Sequence, residues 1–126
     1  MKPCNLFKAM ADETRLRILM MMIEEELCVN ELENILKLNQ SNVSRHLAKL
    51  QAAGLVSSRR AAQHIYYRLD KKVTENQSPL LLMLLHLKNH PDYEVDFAAL
   101  EVHHESGQIL DYHPKRISVF SEEDLI

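Results

Sequence analysis

Apolar side chains recur at helical spacing through the first half of the chain. Leu16, Leu19, Met20 and Ile23 fall on one side of a segment that Asp12 can cap and whose first turn holds Glu13, the arrangement of a helix that gives one stripe to a core. Upstream, Leu6, Phe7 and Met10 predict a short preceding helix, with Pro3 suited to its beginning. Downstream, Asn30 can cap a second helix carrying Leu32, Ile35 and Leu36, and Lys37 to Gln40 reads as a tight turn. A third helix is expected from near Ser41, itself a candidate N-cap, with Val43, Leu47 and Leu50 forming a buried stripe at i, i+4 and i+7. Gly54 is placed to end it.

After Gly54 the period changes. Leu55 to Arg59 and His64 to Leu69 read as two strands of a hairpin, the second alternating Ile65, Tyr67 and Leu69 against His64, Tyr66 and Arg68. From Ser78, a good N-cap, and Pro79, suited to the first helical position, Leu80 to Leu87 are apolar on every side except His86. A helix without a polar face needs cover all round, and a second subunit would supply it. Pro91 is expected to end or kink that helix, and Asp92 to Glu105 to form another amphipathic segment closing near Gly107. The expected class is mainly α with a small β-hairpin (α+β), as one domain over residues 1–106 followed by a tail over 107–126, where Ser121 and Asp124 have capping-box spacing but too little chain to hold a helix.

With 126 residues, 46% of them hydrophobic and 26% charged, the chain suits one folded domain and excludes disordered and collagen-like classes. The net charge of −3 is unevenly spread. Between Leu36 and Lys72 eight cations meet one acid, Asp70, giving +7 and leaving −10 on the rest, the pattern of a protein with one surface for a polyanion. Two cysteines, Cys4 and Cys28, are too few for a disulfide framework, and no basic-then-apolar signal segment follows Met1, so a reducing cytoplasm is expected. The longest apolar stretch, Pro79 to Leu85, falls far short of a membrane span.

The third helix carries the chemistry. Its outer side is expected to display Gln40, Ser41, Asn42, Ser44, Arg45, His46 and Lys49, short hydrogen-bonding groups near the helix start with cations one and two turns on. A helix so furnished fits the major groove of B-DNA, where serine, asparagine and arginine reach base edges and cations at the margin meet phosphates. The hairpin offers Arg59, Arg60, Gln63 and His64 to the adjacent backbone. Two helices joined by a tight turn, then an arginine-rich hairpin, describe a winged helix-turn-helix.

Over about residues 5–70 the sequence resembles the ArsR/SmtB transcriptional repressors, through LFKAMADETRLRIL, ELCVNELENIL, LNQSNVSRHLAKLQAAGLVSSRR and HIYYRLD in that order. The resemblance implies a dimeric repressor that binds a palindromic operator and lets go when an effector, often a metal ion, binds. It also implies that Ser41 to Leu50 is the recognition helix, Arg59 to Gln63 the wing tip, and the N-terminal helix and the apolar helix after Ser78 the dimer interface. Three departures stand out. The wing turn reads Arg60-Ala61-Ala62-Gln63, without the family's usual glycine. Cys28-Val29-Asn30 stands where thiolate sensors carry Cys-Val-Cys, and soft metals want at least two thiolates. The positions of the family's zinc ligands are held here by Lys71, Val73, Leu84 and Leu87, none of which is a ligand.

Cys28, with Cys4 if folding brings it near, is therefore open to three readings: a metal or metalloid ligand, a redox thiol, or a buried small apolar residue. His86 and His90, followed by Asp92, form an alternative metal-binding set at i, i+4, with His103 and His104 further on in an acidic segment where histidines are expected to be solvated. Any cofactor is thus at most an effector ion of unknown identity. Three function classes compete. A sequence-specific DNA-binding repressor accounts for the third helix and the hairpin, whereas a winged-helix module that binds protein would need only the fold. An enzyme is not expected, since Ser44 and His46 lie two apart on a helix and point in different directions.

Overall fold

The structure, a computed structural model, describes residues 2–105; the tail over 107–126 and its capping-box signal lie outside them. In chain order the elements are α1 (Pro3–Met10), α2 (Glu13–Met21), β1 (Leu27–Cys28), α3 (Val29–Leu36), α4 (Gln40–Ala52), β2 (Val56–Ala61), β3 (His64–Leu69), a one-turn α5 (Lys71–Thr74), α6 (Pro79–Leu87) and α7 (Glu94–Glu105). A 3-10 turn, Pro91–Tyr93, leads into α7, so the expected segment from Asp92 is split in two.

Local chemistry sets the helix ends. Asp12 accepts the Arg15 backbone N–H at 3.0 Å and opens α2 as expected. The cap of α3 is two residues earlier than expected: the N-cap is Cys28, not Asn30, and the Cys28 backbone N–H donates to Glu31 Oε1 at 3.1 Å. At α4 the cap is Asn39, which accepts from the Asn42 N–H at 2.9 Å and from the Ser41 hydroxyl at 3.0 Å, so Ser41 lies within the helix. Between the two helices Lys37 takes φ 59 and ψ 45, the left-handed conformation that ends a helix and turns the chain sharply. Gly54, at φ 80, does the same after α4, where no side chain opposes it.

The core is built by α2, α3 and α4 with contributions from the sheet, α6 and α7. Val43, Leu47 and Leu50 are fully buried, as are Leu19, Met20, Leu32 and Leu36. The sheet has three strands, not two, in the order β1-β3-β2, all antiparallel. Only two residues long, β1 pairs Leu27 with Tyr67 and Cys28 with Tyr66. Its presence makes β3 the central strand. The alternation does not divide β3 cleanly: Tyr66 and Leu69, from opposite sets, are both fully buried, while Ile65 is 42% exposed.

Ser78 and Pro79 start α6 as expected, the Ser78 hydroxyl accepting the Leu81 N–H at 3.1 Å. Leu81 and Leu84 are buried against the chain, whereas Leu82 and Met83 stand 40% and 39% exposed on the other side. Ion pairs clamp the C-terminal helices to the rest. Arg17 forms a two-point bridge to Asp96 of α7 at 2.8 and 2.9 Å and donates to the Leu36 carbonyl at 2.9 Å, which raises its pKa above the ordinary arginine value. The segment between α2 and β1 holds three adjacent glutamates that reach three elements: Glu24 pairs with Lys88 just past α6, Glu25 with His104 at 2.5 Å and Glu26 with Arg59 of β2 at 2.6 Å. His103, expected in solvent, is buried and bonded to Glu31 at 2.8 Å. A buried carboxylate needs such a partner, and the histidines of α7 supply two.

Candidate nucleic-acid interface

The side of α4 opposite its buried stripe faces outward. Gln40, Ser41, Ser44, Arg45 and Lys49 are exposed and Asn42 is half-buried. The Arg45 guanidinium donates to Asn42 Oδ1 at 2.9 Å, so cation and amide stand side by side one helical turn apart. That pairing offers a guanidinium donor fork and an amide at one point of the surface, the two groups best shaped for guanine and adenine edges.

His46 leaves this set. It is 8% exposed, turned inward towards α2, and its Nδ1 lies 3.2 Å from Arg15 Nη1. An arginine has donors only, so Nδ1 accepts and the imidazole is neutral. Burial is the main cause holding its pKa below the ordinary value; Asp12 pulls the other way, and Arg45, Arg15 and Lys49 add to the lowering. Arg15 itself, unremarked in the sequence, donates to the Ala9 carbonyl at 2.6 Å and the Lys8 carbonyl at 3.3 Å. It thus joins the end of α1, the start of α2 and the middle of α4.

The hairpin closes through Ala62 and Gln63, with Ala61 paired to His64. Ala62 has φ 56, so an alanine occupies the left-handed position that glycine would take with less strain. Arg60 and Gln63 are exposed at this end and His64 is half-buried, its ring edge-on to Tyr66. Arg59 is placed differently. Its Nε donates to Glu26 at 2.6 Å and its guanidinium lies 5.8 Å from the centre of the Tyr66 ring, so it is anchored at the root of the wing. Gln51 Nε2 donates to the Ser58 hydroxyl at 3.2 Å, fixing the wing to the end of α4. Glu26 and Gln51 had no signal in the periodicity; only the three-dimensional packing brings them to the wing.

The candidate sensor residues are dispersed. Cys4 is exposed on α1 and Cys28 is buried at the end of β1. Burial pushes the Cys28 thiol up to about 11, so at neutral pH it is protonated, and it is the thiolate that reacts and ligates. His86 and His90 are exposed, and His90 Nδ1 accepts the Asp92 N–H at 3.1 Å. Among the described residues no three His, Cys, Asp or Glu side chains are grouped to hold a metal ion.

A helical core, a helix-turn-helix whose second helix turns a polar and basic side outward, and a hairpin carrying cations together define a winged helix-turn-helix domain. Residues 12–58 match the family described as bacterial regulatory protein, arsR family. The chain is 46% identical over 74 residues to the arsenic resistance transcriptional regulator ArsR1 of Pseudomonas putida, covering 58% of each. It is 45% identical over 80 residues to the transcriptional activator HlyU of Vibrio cholerae, covering 64% of this chain and 74% of that one. The solved structure of reduced HlyU from Vibrio cholerae matches with a TM-score of 0.58 at 42% identity, over 67% of this chain and 82% of that one. The chain belongs to the arsR family of bacterial regulatory proteins, and it spans a little over half of the arsenic regulator's length, 58%. Among the described residues no helix is long and apolar enough to cross a membrane.

Proposed function

We propose that the protein is a cytoplasmic, dimeric, sequence-specific DNA-binding repressor that an effector releases from its operator. The observation that carries this reading is the division of α4. Val43, Leu47 and Leu50 are fully buried while Gln40, Ser41, Ser44, Arg45 and Lys49 stand outward, so the helix is held rigidly by one side and free to enter a major groove with the other. Asn42 and Arg45 read base edges; Lys49, Arg60, Gln63 and His64 meet the flanking backbone. Arg59 acts from the root of the wing, and His46 supports α4 from within. Exposed Leu82 and Met83 on α6, with Phe7 on α1, supply apolar surface for a twofold partner, and pairing would set two α4 helices on successive turns of a palindromic site. Residues 1–106 carry both tasks, with 107–126 as an appended tail.

The test is duplex selection from random DNA followed by titration over a range of salt. Arg45→Ala is expected to weaken the selected site by about 1–3 kcal/mol and relax base preference there, while Arg60→Ala weakens all duplexes alike and lowers the salt slope by about 1. Affinity unchanged in both variants would remove the assignment. Release is tested on the same complex with a panel of metal ions, metalloids and oxidants, comparing Cys28→Ser, Cys4→Ser and a variant with His86 and His90 replaced. Loss of response in one of them identifies the effector site. A complex that no member of the panel dissociates rejects a metal or redox effector.

A further inference from the structure

At the root of the wing Ser57, Ser58, Arg59, Arg68, Lys71 and Lys72 line a cavity of about 470 Å³. Four cations face one cavity from two elements, the hairpin and the start of α5. Asp70, the acid in its wall, has its carboxylate engaged with backbone, accepting the Lys72 N–H at 2.9 Å. Glu26 offsets Arg59, and the described ion pairs involve none of Arg68, Lys71 and Lys72. Set against the one negative charge of Asp70, these three leave the cavity wall net positive, with Ser57 beside them.

The position matters. Ser57 pairs with Arg68 four register steps behind Ala61 and His64, roughly 13 Å from the turn at a strand rise of about 3.3 Å per residue. The cations at the tip belong to the convex end that a duplex meets, whereas these lie in a concavity whose volume falls within the range of small-molecule sites. Several cations lining one cavity, with Ser57 among them, suit a phosphate group, whose oxygens each accept charge-assisted hydrogen bonds.

We propose that this cavity binds the phosphate group of a small molecule, a site separate from the surface that meets DNA. The bound phosphate draws on Arg68, Lys71 and Lys72 and shares Arg59 with Glu26, so occupancy is felt at the wing.

Inorganic pyrophosphate is the probe. Calorimetric titration of the full-length protein without DNA is expected to show saturable binding of one pyrophosphate per chain. Affinity should fall by about tenfold or more in Arg68→Gln and in the double variant Lys71→Gln/Lys72→Gln, the loss of one hydrogen bond between charged groups, and stay unchanged in Arg45→Ala and Arg60→Ala. These lysines are exposed, and thermal melting of each variant checks that the fold is kept. A second arm measures operator affinity of the double variant, expected to match the parent when no pyrophosphate is present. Absence of saturable binding overturns the proposal, as does an equal loss in Arg60→Ala, which would make the attraction a diffuse one. Operator affinity that collapses in the double variant assigns the lysines to DNA and also overturns it. The first arm contains no DNA, so its outcome is independent of whether the protein is a repressor.

Discussion

Replacing Arg17 by alanine removes one of the ties that hold α7 against the helix-turn-helix. Its guanidinium gives two short bonds to Asp96 and a third to the last carbonyl of α3. Asp96 is 4% exposed, so after the substitution a carboxylate stays buried without its cation, a situation that costs about 3–5 kcal/mol in a fully buried pair. The Arg17 side chain is 29% exposed, and water reaching that side brings the expectation to about 2–3 kcal/mol. For a domain of this size that corresponds to a Tm lower by about 8–12 °C. Asp96→Ala removes the charge along with its partner's bonds and should cost less, and the double variant Arg17→Ala/Asp96→Ala, which leaves no buried carboxylate unpaired, should be no less stable than Arg17→Ala alone. Urea unfolding at one fixed protein concentration gives all three values, because in a protein that self-associates stability depends on concentration. A coupling energy between the two positions below about 0.5 kcal/mol, the level of an exposed pair, would refute the reasoning.

Three further outcomes follow from particular residues. His46 has its pKa lowered from 6.5 in the folded protein, so the unfolded chain takes the proton more readily; the stability this gives is complete above pH 6.5 and is lost as pH falls through the lower folded value. Urea midpoints between pH 7.5 and 5 should show that loss, and His46→Gln should flatten it; an equal slope in the variant would place the acid sensitivity elsewhere. Ala62→Gly relieves the left-handed strain at the hairpin turn and should stabilise the protein by about 0.5–1 kcal/mol in thermal melts, whereas a loss of stability would show that Ala62 is not strained. At pH 8 an alkylating reagent should modify exposed Cys4 and spare buried Cys28, whose thiol is pushed up to about 11; mass spectrometry that finds both labelled at equal rates would contradict that burial.

Much of this architecture was legible in the sequence because it rests on periodicity and caps. The stripe of Val43, Leu47 and Leu50, the caps Asp12 and Ser78, Gly54 and the hairpin strand His64–Leu69 are all where the pattern puts them. What escaped it has a physical reason in each case. The two-residue β1 is too short to show a period, and the burial of Tyr66 beside Leu69 on β3 follows no simple alternation. His46 sits on the boundary between the buried and outer sides of α4, and its inward partner, Arg15, is 31 residues earlier in the chain. The capping choice between Cys28 and Asn30 depended on Glu31, whose carboxylate serves both the Cys28 N–H and His103 of α7. The outward side of α4 was readable apart from His46. The role of Arg59 was not, since Glu26 reaches it from another part of the chain.

The glutamate triplet before β1 bears on the denatured chain as much as on the native one. In an extended coil Glu24, Glu25 and Glu26 have only one another as near neighbours, and each adjacent pair of carboxylates about 6 Å apart repels by roughly 0.7 kcal/mol in water. Folding delivers the three to Lys88, His104 and Arg59 in turn. The same residues therefore raise the free energy of the coil while fastening the native form, and neutralising any one of them lessens the penalty on disorder together with the tie it makes.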